Sequence, residues 1–370
     1  MFAMLQGPWP RVTSDGIDLA ALEADVAAGR ADAAALEAAT GRLVGEVLAA
    51  QADAGLDLLT DGQVRWPDLA EAVRLAILEG RLADERPLLA AWRAASQAAP
   101  DGATVAQAVP GPYTLGRRAI DDAVRLTREA GEEPPHPVGL TAARFDVTLA
   151  IAEALAGEIE ALVAAGCRVV VVEEPDAVGI GESASERALF VNAGQRLLAR
   201  SGDAHAMLAI LGGSAHGAGG ETVFGAPWHS VLVDLVGGPD NWYLVRQAPG
   251  DRGIVCGVLQ AREDGLEVDQ APELVWAAQY AASSNDRGMA RVGLTNVTRL
   301  ADRSPAAARV AARQLAQAAR FAVMPLADAV EAGLDPRTIR DARPVPEFRN
   351  RAARRRAEHQ AERGDRNEDH

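Results

Sequence analysis

The sequence predicts an α/β protein that folds as a single (β/α)8 barrel (TIM barrel) with a helical insertion after the second strand. Eight short apolar runs recur along the 370-residue chain, and most are separated by Ala- and Leu-rich stretches long enough for crossover helices. Strands that alternate with helices pair in parallel, because each helix returns the chain to the end where the previous strand began. Eight such units favour closure into a barrel, and an open doubly wound sheet is the structural alternative.

Each candidate strand is a short run rich in Val, Leu and Ile, with turn residues at its ends. They cover residues 2–5, 56–60, 104–109, 168–172, 206–211, 231–236, 253–259 and 290–294. Their order along the chain places one strand at the start of each predicted barrel unit.

Three segments carry the clearest helix signals. Residues 33–54 have apolar side chains at helical spacing and end at a glycine, and residues 141–165 end in the same way. Residues 305–321 follow a serine cap and begin with a proline. Residues 66–100 are predicted to form two inserted helices. Residues 117–140 include a Pro-rich stretch and are predicted to form a turn or surface loop.

The barrel is expected to span residues 1–340, with a charged tail at residues 341–370. Arginine and acidic residues interleave in this tail with few apolar ones. Such a segment buries too little surface to offset its ordering entropy, which predicts a frayed helix or a disordered segment.

Composition excludes several classes of function. The net charge is −15 and the pI about 4.9, which disfavours nucleic acid or a membrane as a partner. All 37 residues of the Lys and Arg class are arginine, which excludes a lysine Schiff base and a phosphate loop that needs lysine. The two cysteines, Cys167 and Cys256, are isolated, and no secretory signal or apolar span is evident. We therefore expect a cytoplasmic protein that acts on a small-molecule substrate.

Polar residues follow the candidate strands at their carboxyl ends, where the active site of a barrel lies. Glu173 and Glu174 end the fourth strand, and their side chains should point to opposite faces, one into the barrel mouth. The predicted catalytic residues are Glu174, Glu173 and Asp234. The predicted substrate-binding residues are Gln63, Arg65, Trp66, Asp68, Tyr113, Arg262 and Asn296.

Several of these residues also have a structural interpretation. Gln63, Arg65 and Asp68 can order a loop instead of clamping the carboxylate or amino group of a substrate. Arg262 can anchor an anion or pair with the neighbouring Glu263 or Asp264, and Asp234 can cap a helix.

Five stretches resemble, in the correct order, the catalytic barrel of cobalamin-independent methionine synthase, a superfamily that also contains uroporphyrinogen decarboxylase. Residues 54–68 resemble the family's Gly-Leu-Asp stretch, residues 110–115 its Gly-Pro-Val-Thr motif and residues 165–175 its Asp-Glu-Pro strand. Residues 256–262 resemble its Gly-Val-Tyr-Asp-Ile-His motif, and residues 291–321 resemble its last barrel unit. The resemblance covers residues 2 to 325.

The resemblance implies methyl transfer from a methylated folate to homocysteine, whose thiol a zinc ion activates. The family's His-x-Cys pair falls at residues 210–212 and its later Cys at residues 293–296, and neither segment contains a side chain that ligates zinc. Asp234, near the family's Glu, is the only remaining candidate. We therefore expect a divergent member with a degenerate zinc site.

Three functions are compatible with this pattern. The first is a methionine-synthase-like methyltransferase that acts on a small thiol with methylfolate or methylcobalamin as the donor. The second is a metal-independent lyase or decarboxylase in which Arg262, Arg65 and Arg299 hold carboxylates and Glu174 moves protons. The third is a non-catalytic ligand-binding barrel.

Overall fold

The computed structural model describes residues 1–133, 136–262, 270–332 and 334. The chain divides into two compact units, Met1–Val323 and Met324–His370. In the second unit the described residues form one short helix, Leu326–Glu331. The predicted tail at residues 341–370 lies outside the described residues.

The first unit contains a curled parallel sheet surrounded by helices. The strands are β1 (Phe2–Ala3), β2 (Leu58–Leu59), β3 (Thr104–Val105), β4 (Gln107–Pro110), β5 (Val169–Glu173), β6 (His205–Ile210), β7 (Ser230–Asp234), β8 (Gly253–Leu259) and β9 (Val292–Asn296). Seven of them pair in the order β1-β9-β8-β7-β6-β5-β4, and β2 pairs with β3. A parallel bridge between Met4 and Leu58 links the chain after β1 to β2.

The helices alternate with the strands, as the sequence predicts. They are α1 (Leu19–Ala27), α2 (Ala33–Ala54), α3 (Leu69–Leu78), α4 (Leu82–Glu85), α5 (Pro87–Ala98), α6 (Pro112–Glu129), α7 (Pro137–Ala164), α8 (Ala184–Leu198), α9 (Gly220–Val223), α10 (Asn241–Gln247), α11 (Ala271–Ser283) and α12 (Pro305–Ala322). None of the helices in the described part of the chain is long and apolar enough to cross a membrane.

The helix ends follow the predicted cap chemistry. Helix α2 has the predicted bounds and ends at Gly55, whose φ of 85° lies in the left-handed region that glycine adopts without strain. Helix α12 begins after Ser304, whose hydroxyl accepts a hydrogen bond from the backbone N–H of Ala307 at 3.2 Å.

Three details of the sequence prediction were wrong. The insertion after β2 contains three helices instead of two, because a break at residues 79–81 and the positive φ of Arg86 divide it. Residues 117–140 are mostly helical, since α6 continues to Glu129 before the Pro-rich stretch. The predicted third strand is divided at Ala106, whose N–H bonds to the carbonyl of Leu59, whereas the residues after it pair with β5.

Alternation along β5 determines which side chains face the inside of the curled sheet. Val171 packs in the small inner cluster with residues such as Met207 and Leu232, whereas Val170 and Val172 pack among the helices. Because side chains alternate faces along a strand, Glu173 lies on the same face as Val171. The strand therefore delivers one carboxylate to the inner side of its carboxyl end.

Candidate active site

Glu173 is the centre of a polar cluster at the carboxyl ends of the strands. Its Oε1 accepts a hydrogen bond from Nε2 of Gln63 at 2.7 Å and another from Nε2 of Gln6. Gln6 follows β1 and Gln63 follows β2, so two loops distant in sequence converge on this carboxylate. We predicted Gln63 and Glu173 from the sequence, but not the contribution of Gln6.

Burial raises the pKa of Glu173 to about 7. The hydrogen bond from Gln63 opposes this shift, while the negative charge of Asp61 adds to it. A carboxyl group with such a pKa is present at neutral pH in both its protonated and its ionised form. It can therefore accept or release a proton during a reaction.

Two adjoining cavities meet at Glu173. The first has a volume of about 300 Å³, and the second of about 150 Å³. The first cavity is lined by Gln6, Gly7, Pro8, Glu173, Pro175, Ala209, Leu211, Gly212, Asn296, Val297, Thr298 and Arg299. The second cavity is lined by Pro8, Gln63, Trp66, Pro67, Asp68, Leu69, Ala70, Pro110, Thr114, Arg118, Glu173, Pro175 and Arg299. Pro8, Glu173, Pro175 and Arg299 line both.

Asn296 fixes the position of Gln6. Its Oδ1 accepts a hydrogen bond from the backbone N–H of Gln6 at 2.9 Å, and its Nδ2 donates to the carbonyl of Gln6 at 2.9 Å. The same amide donates to the carbonyl of Thr298 at 2.9 Å. Asn296, a predicted substrate-binding residue, thus lines the first cavity and also joins the loops after β1 and β9.

Gln63 is held in a conformation that non-glycine residues seldom adopt. Its φ is 54°, and its backbone N–H donates to Oδ1 of the buried Asp61 at 2.9 Å. The preceding Gly62 also has a positive φ, and a Cβ there would lie 2.6 Å from Cβ of Trp9. Backbone strain of this kind is common where a side chain must be aimed at a site.

Glu174 has a different environment from its neighbour. Its carboxylate accepts hydrogen bonds from the backbone N–H groups of Tyr113 at 2.9 Å and Thr114 at 2.7 Å, in the first turn of α6. Burial raises the pKa of Glu174 to about 7, and these hydrogen bonds oppose the shift. Glu174 is absent from the lining of both described cavities. The structure therefore places this predicted catalytic residue as a helix cap beside the site.

Asp234 likewise bonds to backbone. Its Oδ1 accepts hydrogen bonds from the N–H groups of Val236 at 3.0 Å and Gly237 at 2.6 Å. Asn241 donates to the carbonyl of Asp234 at 2.6 Å and so binds the loop after β7 to the next helix. The described residues that line the two cavities do not include Asp234.

The remaining predicted residues after β2 divide between the cavity and the surface. Trp66 and Asp68 line the second cavity. Asp68 also caps α3, since its Oδ1 accepts a hydrogen bond from the N–H of Glu71 at 3.0 Å. The guanidinium of Arg65 lies 2.9 Å from the carboxylate of Glu37 and does not line either described cavity.

Tyr113 and Arg262 are not part of either described cavity lining. The hydroxyl of the buried Tyr113 donates to Glu186 at 2.6 Å, and Arg144 lies over its ring at 4.9 Å. Burial raises the pKa of Tyr113. Arg262 is exposed, and its predicted alternative partners at 263 and 264 lie outside the described residues.

Arg118 and Arg299 line the second cavity. Arg299 was predicted to hold a carboxylate only in the lyase or decarboxylase alternative, and Arg118 was not among the predicted site residues. Arg299 follows β9, so its place after a strand is a signal in the sequence. Arg118 lies in the second turn of α6, within a segment predicted as a loop. Only the helical conformation of that segment brings Arg118 to the cavity.

The residues present do not fit the zinc ion that the resemblance implies. Residues 210–212 offer only aliphatic side chains and a glycine, and the carboxylate of Asp234 is bound to backbone N–H groups. Within the part of the chain that the structure describes, no three His, Cys, Asp or Glu side chains are grouped so as to hold a metal ion. A protein zinc site requires three or four such ligands.

No protein-family model matches the sequence, and no curated protein matches it. A protein from Listeria monocytogenes assigned as a vitamin-B12-independent methionine synthase has a TM-score of 0.63 and 17% identity, over 88% of this chain and 100% of that one. The structure of a B12-independent methionine synthase from a Shewanella species in complex with selenomethionine has a TM-score of 0.65 and 12% identity. The match covers 89% of this chain and 98% of that one. A methyltransferase from Methanosarcina mazei has a TM-score of 0.53 and 13% identity, over 75% and 85%. At these identities the similarity establishes a shared fold.

Proposed function

We propose that this chain is a divergent methyltransferase of the cobalamin-independent methionine synthase type, in which Glu173 accepts the proton of a small thiol substrate such as homocysteine. The position of Glu173 between the two cavities carries the proposal, since it is the one carboxylate among the described residues that lines both. The resemblance of five ordered stretches and the shared fold support the choice of family. We also propose that β2, with β3 and β4 counted as one divided strand, completes a closed eight-stranded barrel, which the bridge between Met4 and Leu58 supports.

The chemistry of the first cavity suits a thiol and its methylated product. Pro8, Ala209, Leu211 and Val297 supply an apolar wall, which favours a polarisable sulfur and a methyl group over a strongly hydrated group. Glu173 contributes the carboxylate on the same wall.

The proposed step balances without a metal. The S–H proton passes to Glu173, and the thiolate sulfur forms a bond to the methyl carbon of the donor. The bond between that carbon and the donor breaks, and its electron pair remains on the donor. A free thiol has a pKa of about 8.5, so a carboxylate with a pKa near 7 accepts its proton at a modest cost. Methylfolate and methylcobalamin both remain candidate donors.

One observation favours a second candidate function, the metal-independent lyase or decarboxylase. Arg299 lines both cavities and can hold a substrate carboxylate. The other residues expected for this reaction give it less support, since Arg65 is paired with Glu37 and Glu174 caps α6. A decarboxylase would release carbon dioxide without a methyl donor, which distinguishes the two functions in one assay.

The proposed function is tested with the variant Glu173→Gln. We expect at least about a 100-fold lower kcat for methyl transfer from methylfolate or methylcobalamin to homocysteine, because proton transfer by a positioned side chain contributes at least that factor. The exposed Glu182→Gln is the matched control, because it changes the same functional group outside the site. Equal kcat values for Glu173→Gln and the control would contradict the role of Glu173.

A further inference from the structure

The lining of the second cavity includes two arginines and a tryptophan. Arg118 comes from α6 and Arg299 from the loop after β9, while Trp66 comes from the insertion after β2. Three segments far apart in sequence thus contribute to one small enclosure. Its volume of about 150 Å³ is half that of the first cavity.

The ion pairs between these arginines and their acidic neighbours are weak. Arg118 lies 3.6 Å from Asp68, a separation longer than a hydrogen bond, and the other oxygen of Asp68 accepts from the N–H of Glu71. Arg299 lies 3.1 Å from Asp302, and both of these side chains are about half exposed, so water screens their attraction. A guanidinium has five N–H donors, and one ion pair of this kind employs only part of them.

The charges on the cavity wall favour an anion. Among the described residues that line this cavity are two arginines and two acids, Asp68 and Glu173, and Glu173 is partly protonated at neutral pH. A carboxylate matches the planar, forked geometry of a guanidinium and can bind it through two parallel hydrogen bonds.

We infer that the second cavity binds the carboxylate of the substrate through Arg118 and Arg299, while the reacting group of the same molecule occupies the first cavity beside Glu173. The inference rests on the proposed function in placing a thiol at Glu173. It assigns Arg118 and Arg299 as specificity-determining residues and limits the substrates to small carboxylate-bearing thiols. Neutral thiols of the same size are excluded as good substrates.

The test compares 4-mercaptobutyrate with its neutral amide, 4-mercaptobutanamide, by titration calorimetry at pH 7. The two ligands have the same chain length and the same thiol, and they differ only in the charge of the terminal group. We expect the acid to bind the wild-type protein at least about tenfold more tightly than the amide. Arg118→Gln and Arg299→Gln should each reduce this ratio toward one. Arg117→Gln is the matched control, because Arg117 is the adjacent α6 residue, is similarly exposed and is absent from both described cavity linings.

Several results would overturn the inference: equal affinities for acid and amide, no binding of either up to about 10 mM, or an unchanged ratio in both arginine variants. Because the comparison of acid and amide is made on the wild-type protein, it does not depend on whether a variant folds. Failure of the proposed function gives a different pattern. In that case an arginine-dependent preference for the acid persists, but Glu173→Gln leaves methyl transfer unchanged.

Discussion

The ionisation of Glu173 depends on neighbours that the local sequence does not reveal. Burial raises its pKa to about 7, and the hydrogen bond from Gln63 keeps the pKa from rising further. Replacing Gln63 with leucine removes this donor without removing the bulk of the side chain. The pKa of Glu173 should therefore rise in Gln63→Leu. We expect the rising limb of the pH profile of kcat/KM to move to higher pH, because Glu173 must be ionised to accept the proton.

The measurement is kcat/KM for methyl transfer between pH 5 and 9 with the wild-type protein and Gln63→Leu. Gln195→Leu is a control, since Gln195 is an exposed glutamine on α8 whose side chain bonds only weakly, at 3.4 Å, to the carbonyl of Gly225. A shift of the limb to lower pH in Gln63→Leu would contradict the assignment of this hydrogen bond.

At the scale of secondary structure, the N-terminus of α6 depends on a side chain from another element. The first-turn N–H groups of Tyr113 and Thr114 donate to Glu174, which follows β5. Gly111 permits this approach, because a Cβ at that position would lie 2.0 Å from Cδ of Glu174. We expect Glu174→Ala to lower the free energy of unfolding by about 3 kcal/mol, since it leaves two buried donors unpaired.

Urea unfolding at pH 7 measures this difference. Asp32→Ala provides the comparison, because Asp32 caps the exposed start of α2 and its loss should cost only about 1 kcal/mol. Similar losses in the two variants would show that Glu174 is an ordinary cap. Glu174→Gln keeps one acceptor and should lie between them.

At the scale of the whole molecule, His205 and the two buried glutamates give opposite pH dependences of stability. Burial lowers the pKa of His205 from 6.5 to about 4, and the nearby His229 adds to this shift. The folded state therefore disfavours the charged imidazole, and this side chain costs stability as the pH falls from 6.5 toward 4. The raised pKa values of Glu173 and Glu174 have the reverse effect: their contribution is full below pH 4.5 and is lost as the pH rises through 7.

We expect the variant His205→Gln to lose less stability than the wild-type protein between pH 6.5 and 4. The glutamine keeps a polar group near Ser230, which lies 2.8 Å from the imidazole, but does not titrate. The midpoint of urea unfolding at each pH measures the effect. His216→Gln is the control, because it removes an imidazole from a different part of the fold, the segment after β6. Parallel curves for His205→Gln and the wild-type protein would contradict the role of His205.

The sequence by itself determined the alternation of strands and helices, because apolar periodicity and helix caps are local properties. The cap at Ser304, the stop at Gly55 and the position of Glu173 at a strand end could all be predicted in this way. The parallel sheet surrounded by helices followed from the same pattern and is confirmed, whereas closure of eight strands into a barrel stays a prediction. The break at Ala106 could not be predicted, since it depends on which strand each residue pairs with.

Only the tertiary structure decided what each polar residue does. Glu173 and Glu174 are adjacent and identical in type, yet one faces the cavities and the other caps α6. The period of the strand predicts that they diverge, but the identity of the partner depends on segments tens of residues away. The places of Gln6 and Arg118 in the cavity linings were not predicted for the same reason. A side chain acquires its chemistry from the groups it contacts, and those contacts form only when distant parts of the chain pack together.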